Sequence, residues 1–197
     1  MKISKKILSA VTAAAMLLTL TACNDGAKTS TPSQTLSSSS SAEEIPIDPG
    51  IPESPASDFE YKFKEELGGI EITEYNGKNE VIRIPAKIDG KNVTSIGEDA
   101  FVGCVGITSI IIPNGVTTIG KNALSCHELT SVTIPNSVTK IGERAFLFCY
   151  GLTSVALPDS VTEIGKDAFS GCMAEITYKG KTYSPGNYDA LYTAING

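Results

Sequence analysis

Residues 141–163 read Ile-Gly-Glu-Arg-Ala-Phe-Leu-Phe-Cys-Tyr-Gly-Leu-Thr-Ser-Val-Ala-Leu-Pro-Asp-Ser-Val-Thr-Glu. The chain writes the same line from Ile96 and from Ile119, and begins it again at Ile164 before breaking off after Cys172. The starts lie 23, 22 and 23 residues apart. A unit this short cannot enclose a hydrophobic core alone, so the copies must stack and share one, as in a solenoid. Three apolar residues per copy recur with strand spacing: Ile107, Ile110 and Ile112; Leu129, Val132 and Ile134; Leu152, Val155 and Leu157. Pro113, Pro135 and Pro158 follow, and proline ends a strand because it has no N–H for the ladder. Val116 with Ile119, Val138 with Ile141, and Val161 with Ile164 supply a second inward row. Gly97, Gly120, Gly142 and Gly165 mark a tight corner, expected at positive φ. Ala100, Ala123, Ala145 and Ala168 precede Phe101, Leu124, Phe146 and Phe169, expected on a short helical turn across the outer side. The predicted fold is a mainly β solenoid of about four coils, with parallel strands and short outer helical turns.

The flanks divide the rest of the chain. Residues 1–22 read as a secretory signal: Lys2, Lys5 and Lys6 precede an apolar run from Ile7 to Leu20. That run is too short to span a bilayer, which takes roughly 20 residues of helix. It ends in Leu20-Thr21-Ala22-Cys23, which resembles a bacterial lipoprotein signal and implies lipidation of Cys23. An ordinary signal peptide with an incidental cysteine is the alternative. Residues 23–58 then form a Ser/Thr/Pro-rich linker, with five consecutive serines at 37–41, whose composition cannot bury enough surface to order it. Residues 59–95 are expected to hold an N-terminal cap and first coil, because Phe59, Tyr61 and Phe63 alternate with charged residues ahead of Gly68-Gly69 and a second alternating run. The repeats occupy 96–175. Residues 176–197 close the array with a hairpin turned at Lys179-Gly180 and a short helix carrying Tyr188, Leu191, Tyr192 and Ile195 on one face, its start capped by Ser184 or Asn187.

Charge and composition narrow the function. Removing Lys2, Lys5 and Lys6 leaves 13 of 16 basic residues against 22 acidic ones, a net charge of −9. No basic cluster is available for phosphate, so nucleic acid is a poor partner, and membrane attachment rests on the lipid anchor rather than on charge. No carboxylate pair, phosphate loop, triad spacing or metal cluster is legible, which predicts a non-enzymatic protein without metal or cofactor. Cys104, Cys126, Cys149 and Cys172 hold one position in successive coils. Disulfides or a metal site are the chemical readings, but equivalent side chains point in parallel, and buried thiols packing as small apolar groups fit better. Glu98, Lys121, Glu143 and Lys166 alternate in sign and predict an ion-pair ladder, with Lys140 beside Glu163 as a further pair.

Two sets of exposed residues are candidates for binding a protein or glycan. The strand face offers Thr108, Ser109 and Ile111, then Thr130, Ser131 and Thr133, then Thr153, Ser154 and Ala156. The loop after each cysteine offers His127 and Tyr150, at the position also held by Val105 and Met173. A Cys126–His127 nucleophile is the weaker reading of the histidine, because Glu128 beside it opposes a thiolate.

The Leu-x-x-Leu-x-Leu strand spacing is that of a leucine-rich repeat. The fuller pattern Ile-Gly-x-x-Ala-Phe-x-x-Cys-x-x-Leu-x-x-Val-x-Leu-Pro-x-x-Val, whole at 141–163, resembles the BspA-like leucine-rich repeats of bacterial surface proteins. Gly69 to Tyr75 and Ile88 to Thr94 look like that family's usual approach to the array. The second coil departs from the pattern, lacking one residue before Cys126 and carrying Leu124 in place of Phe. The resemblance implies an adhesin-like surface protein that binds a host or matrix macromolecule through its repeats. A structural, envelope-organising module without an external ligand is the alternative.

Overall fold

The computed structural model describes residues 50–197. The expected signal segment, the lipidation site Cys23 and most of the linker lie outside these residues. In chain order the strands are β1 (Phe59–Lys64), β2 (Gly69–Tyr75), β3 (Val81–Arg83), β4 (Lys87–Ile88), β5 (Lys91–Ile96), β6 (Ser109–Ile111), β7 (Thr118–Ile119), β8 (Ser131–Thr133), β9 (Lys140–Ile141), β10 (Ser154–Ala156), β11 (Glu163–Ile164), β12 (Glu175–Tyr178) and β13 (Lys181–Tyr183). Helix α1 (Tyr188–Asn196) follows. Counting the turn that carries β3, the chain makes about five coils.

Each coil contributes one strand to each of two rows. The first row runs β2–β5–β7–β9–β11 in parallel, with β1 antiparallel on its outer edge and β4 folded back on β5. The second row runs β3–β6–β8 and, separately, β10–β12, with β13 turned back antiparallel on β12. It is open between β8 and β10, and Val132 beside the gap is only half-buried where Ile110 and Val155 are buried. Between the rows lies one continuous core of the predicted inward residues, including Ile96, Ile119, Ile141 and Ile164 and the outer-side Phe101, Leu124, Phe146 and Phe169. Phe146 and Phe169 stack with centroids 4.9 Å apart and planes 3° from parallel. Burying each such side chain contributes about 1.5–3 kcal/mol, so stability accumulates coil by coil.

The recurring polar residues also serve the stack. Thr94, Thr117, Thr139 and Thr162 each donate a hydroxyl to a carbonyl one coil earlier, as do Ser137 to Val116 and Ser160 to Val138. The cysteine file does the same: the Sγ atoms of Cys104, Cys126, Cys149 and Cys172 lie 3.6, 3.7, 3.1 and 2.9 Å from the carbonyls of Tyr75, Phe101, Leu124 and Phe146. None of the four is joined in a disulfide. Cys126, Cys149 and Cys172 pack as small buried groups while Cys104 is only half-buried, and, beyond the expectation, all four set coil register as donors.

The corner glycines follow a different logic from the one expected. Gly97, Gly120, Gly142 and Gly165 do not have positive φ; that conformation belongs to Asp99, Asn122, Arg144 and Asp167, two residues on. A Cβ on Gly120 would instead fall 2.7 Å from the carbonyl carbon of Gly97, and one on Gly142 2.6 Å from that of Gly120. Glycine is required by the closeness of successive backbones, not by their handedness. The left-handed residue that follows breaks helical geometry, so the outer segments are runs of turns. The ion-pair ladder is only partly formed. Lys121 meets Glu98 at 3.6 Å and Lys140 meets Glu163 at 2.7 Å, whereas Glu143 is taken by Arg144 at 3.2 Å.

Both ends are closed. Phe59 is buried, but a register shift after Glu60 and the edge position of β1 leave Tyr61 37% and Phe63 46% exposed, so the expected half-buried face is reduced to one residue. Tyr61 donates to Asp89 and Lys91 sits over the Phe63 ring, fastening β1 to the β4–β5 hairpin. Order begins before Phe59. Ser54 is buried and bonded to Arg83, whose guanidinium donates to the carbonyl of Ile51. At the far end α1 lays Leu191 on the last coil, with Tyr188 and Ile195 half-buried and Tyr192 exposed. Asn187 is the N-cap residue but makes no side-chain cap bond. The cap that matters is Asn196, whose amide accepts from the Ile164 N–H at 3.1 Å and donates to the Ile164 carbonyl at 2.8 Å, in place of a further strand.

Candidate functional site

The strand face is quieter than its sequence suggested. Thr108 donates to the Glu80 carbonyl and Thr130 to the Thr108 carbonyl, so these hydroxyls are committed to stacking. Ile111 is 9% exposed and presents little surface; Ser109 and Thr133 are half-buried. Ser131, Thr153, Ser154 and Ala156 are exposed, and they flank the gap between β8 and β10. No aromatic or charged group stands among these nine residues to anchor a partner.

The loop edge is different, and its geometry starts from the missing residue of the second coil. Between the outer aromatic position and the cysteine, the first coil has Val102-Gly103, the third Leu147-Phe148 and the fourth Ser170-Gly171; the second has Ser125 alone. Gly103 and Gly171 have φ of 78° and 76°, as glycine allows. Phe148 occupies the equivalent position with φ of 57°. A left-handed backbone costs a residue with a side chain roughly 1–2 kcal/mol, and a bulky residue there is uncommon.

The strained backbone displays the Phe148 ring at the surface. Phe148 is 42% exposed and Tyr150 57% exposed, their rings 5.8 Å apart and 22° from parallel. His127 completes the group, 5.6 Å from Tyr150 and 6.4 Å from Phe148. The two loop candidates, His127 and Tyr150, are thus brought together with a third residue that sequence reading missed. The signal was available: Phe148 stands where two other copies have glycine. The shortened second coil leaves a notch of about 440 Å³ beside these rings, lined also by Val102, Val105, Asp99 and Glu128. Asp99 accepts from Asn122 at 2.9 Å, Glu128 has no partner among the described residues, and no Lys or Arg lines the notch.

The neighbouring thiol is unsuited to nucleophilic chemistry. Burial pushes Cys126 up to about 12, and its Sγ faces the Phe101 carbonyl rather than His127. Contact with Cys172, then burial, likewise pushes Cys149 up. Among the described residues no group of three His, Cys, Asp or Glu side chains is placed to hold a metal ion.

Two strand rows, an outer turn and a thiol ladder repeated every 22 or 23 residues define a leucine-rich-repeat solenoid. The chain belongs to the BspA-type leucine-rich repeat family, whose repeat region matches residues 75–184 in six copies. Proteins of this type are typically found on the bacterial surface or outside the cell and are generally non-catalytic. Among solved structures, the chain is similar to a T. pallidum leucine-rich repeat protein at 31% identity and a TM-score of 0.60, over 66% of this chain and 65% of that one. It is also similar to a leucine-rich repeat protein from Bacteroides capillosus at 25% identity and a TM-score of 0.57, over 64% of this chain and 98% of that one. No curated protein matches it.

Proposed function

We propose that this is a non-enzymatic, lipid-anchored surface protein that binds a protein ligand through the aromatic edge of its repeat array. The observation that carries the reading is Phe148: a bulky aromatic held in left-handed backbone, half out in solvent, where the repeat otherwise places glycine. Part of the ring packs on Gly171 of the next coil, but two sister coils stack with glycine at this position, and strained, exposed residues concentrate at working sites. Three rings in contact are the kind of anchor that dominates protein interfaces. Glu128 and Asp99, with no basic residue around the notch, favour a ligand that presents a Lys or Arg side chain to the rings. Lipidation at Cys23 would hold this edge outside the cell on the Ser/Thr/Pro linker.

The test compares the wild-type chain with a Phe148→Gly/Tyr150→Ala variant as baits against host-matrix and envelope proteins. Glycine is native to that position in two sister coils, so the variant keeps its fold, checked by its melting temperature. Retention of a ligand by the wild type and its loss by the variant is the expected outcome. Equal binding by both overturns this assignment of the surface. An envelope-organising role without a ligand is the second reading, favoured by the strand face, where Thr108 and Thr130 serve coil stacking.

A further inference from the structure

The outer turns are stitched together by a backbone pattern that repeats from coil to coil. Asp99 and Phe101 donate their N–H groups to the carbonyls of Lys121 and Ala123, both at 3.0 Å. Asn122 and Leu124 donate to Glu143 and Ala145 at 3.0 and 2.8 Å, and Arg144 and Phe146 to Lys166 and Ala168 at 3.1 and 2.8 Å. In every case the acceptors are residues i and i+2 of the next coil, and the residue between them has positive φ: Asn122, Arg144 and Asp167. The second acceptor is always alanine, and each of these alanines is buried.

Asp167 and Phe169 are the corresponding donors of the last coil. Their N–H groups have no partner among the described residues. Phe169 is buried, yet its N–H lacks the carbonyl partner that Phe101, Leu124 and Phe146 each have in the following coil. Helix α1 closes the strand row through Asn196 and the core through Leu191, but stands off from these two donors. Between them lies a cleft of about 370 Å³, walled by Phe169, Tyr188, Leu191 and Tyr192 and flanked by Lys166 and Asp167.

We propose that this cleft is a peptide-binding site, distinct from the aromatic notch, for a turn of a partner protein that imitates the missing coil. The carbonyls of residues i and i+2 of that turn accept from the N–H groups of Asp167 and Phe169. The residue between them takes left-handed backbone, which favours Gly, Asn or Asp although Arg144 also adopts it, and the residue at i+2 is Ala because the earlier coils bury a methyl group there. The occupant is thus a peptide of x-(Gly/Asn/Asp)-Ala type, recognised by continuing the interface that joins the coils. The site needs no basic side chain and makes no use of Phe148 or Tyr150.

The experiment follows backbone amides of the full chain by nuclear magnetic resonance while a synthetic peptide of residues 119–125, Ile-Gly-Lys-Asn-Ala-Leu-Ser, is added to millimolar concentration. In the free protein, the amides of Phe101, Leu124 and Phe146 exchange with solvent at least about tenfold more slowly than that of Phe169, a ratio equivalent to about 1.4 kcal/mol. Peptide shifts the Asp167 and Phe169 resonances and slows their exchange. The same peptide with Asn122→Val, whose β-branched residue resists left-handed backbone, does neither. The site is refuted if Phe169 is already as protected as its counterparts, if the two amides do not respond, or if the valine peptide acts equally well. The Phe148→Gly/Tyr150→Ala variant binds the peptide as the wild type does, so failure here is separable from failure of the aromatic edge.

Discussion

The Phe148 ring lies across the α-carbon of Gly171, in the space a side chain on residue 171 would enter. Gly171 therefore answers two demands at once, a φ of 76° and a covering aromatic. Gly171→Ala should destabilise the protein by roughly 2–5 kcal/mol, combining left-handed strain of about 1–2 kcal/mol with overpacking of about 1–3 kcal/mol. In a Phe148→Gly background only the strain remains. The expected coupling of about 1–3 kcal/mol, the overpacking term, is read from a double-mutant cycle by denaturant unfolding. Additive effects would mean that the ring does not hold this position in solution.

How much of this could be read in the chain beforehand follows from what the repeat records. Residues with one role in every coil, such as Ile119, Phe146 and Cys149, disclose that role by recurring in phase, and the inward rows and the hairpin turn at Lys179-Gly180 appear where expected. What recurrence hides is the reason. Gly120 and Asn122 recur alike, and only three-dimensional distance separates a glycine needed for backbone contact from a residue held at positive φ. The thiols were readable as buried, but their bonds to carbonyls one coil back depend on stacking geometry. The aromatic edge is half legible: His127 and Tyr150 stand out as variable residues, while Phe148 falls among the unrestricted positions of the pattern. Tyr61 and Phe63 show the opposite failure, because alternation predicts a buried face but does not record that β1 lies at the sheet edge.

Within the thiol file, buried Cys126 makes stability fall in alkali. Burial raises Cys126 from an ordinary value of 9.0 to about 12, whereas Cys149 and Cys172 are shifted in opposite directions by their mutual hydrogen bond and offset one another. A group whose folded pKa is raised contributes fully below its unfolded pKa and loses that contribution as pH climbs through the folded value. Between about pH 9 and 12, the unfolded Cys126 thiol ionises while the folded one resists, which lowers stability by up to about 1.4 kcal/mol per pH unit. Unfolding curves of the reduced protein at pH 8, 9 and 10 should show the decline, and Cys126→Ala should flatten it. A slope unchanged in the variant would remove Cys126 from the account.

Asn196 stands in for a strand with a single side chain. Asn196→Ala leaves the N–H and carbonyl of buried Ile164 without their partner and should cost about 1–3 kcal/mol. Asn196→Asp keeps an acceptor for the N–H but loses the donor to the carbonyl, so its cost should fall between alanine and wild type. Thermal melts of the three proteins give the order. Hydrogen exchange should place the loss at β11 and α1, since neighbouring coils in a solenoid are coupled mainly through their shared interface.

Charge at the notch gives the last prediction. Glu128 is an exposed carboxylate beside His127, without a partner among the described residues, and Asp99 lines the same concavity. If a Lys or Arg of the ligand seats against the Phe148 and Tyr150 rings, Glu128→Lys places a like charge there and should weaken binding several-fold to tenfold, about 1–1.4 kcal/mol. Raising the ionic strength should weaken the wild type, because an exposed attraction is screened beyond about 8–10 Å, and should affect the variant less or in the opposite sense. Folding should be indifferent to the change, since surface substitutions away from packed features usually move stability by less than about 0.5 kcal/mol. Ligand titrations at two salt concentrations, with melts as control, check all three points. An affinity equal for wild type and Glu128→Lys at both would leave the rings as anchors but remove the basic side chain from the ligand's description.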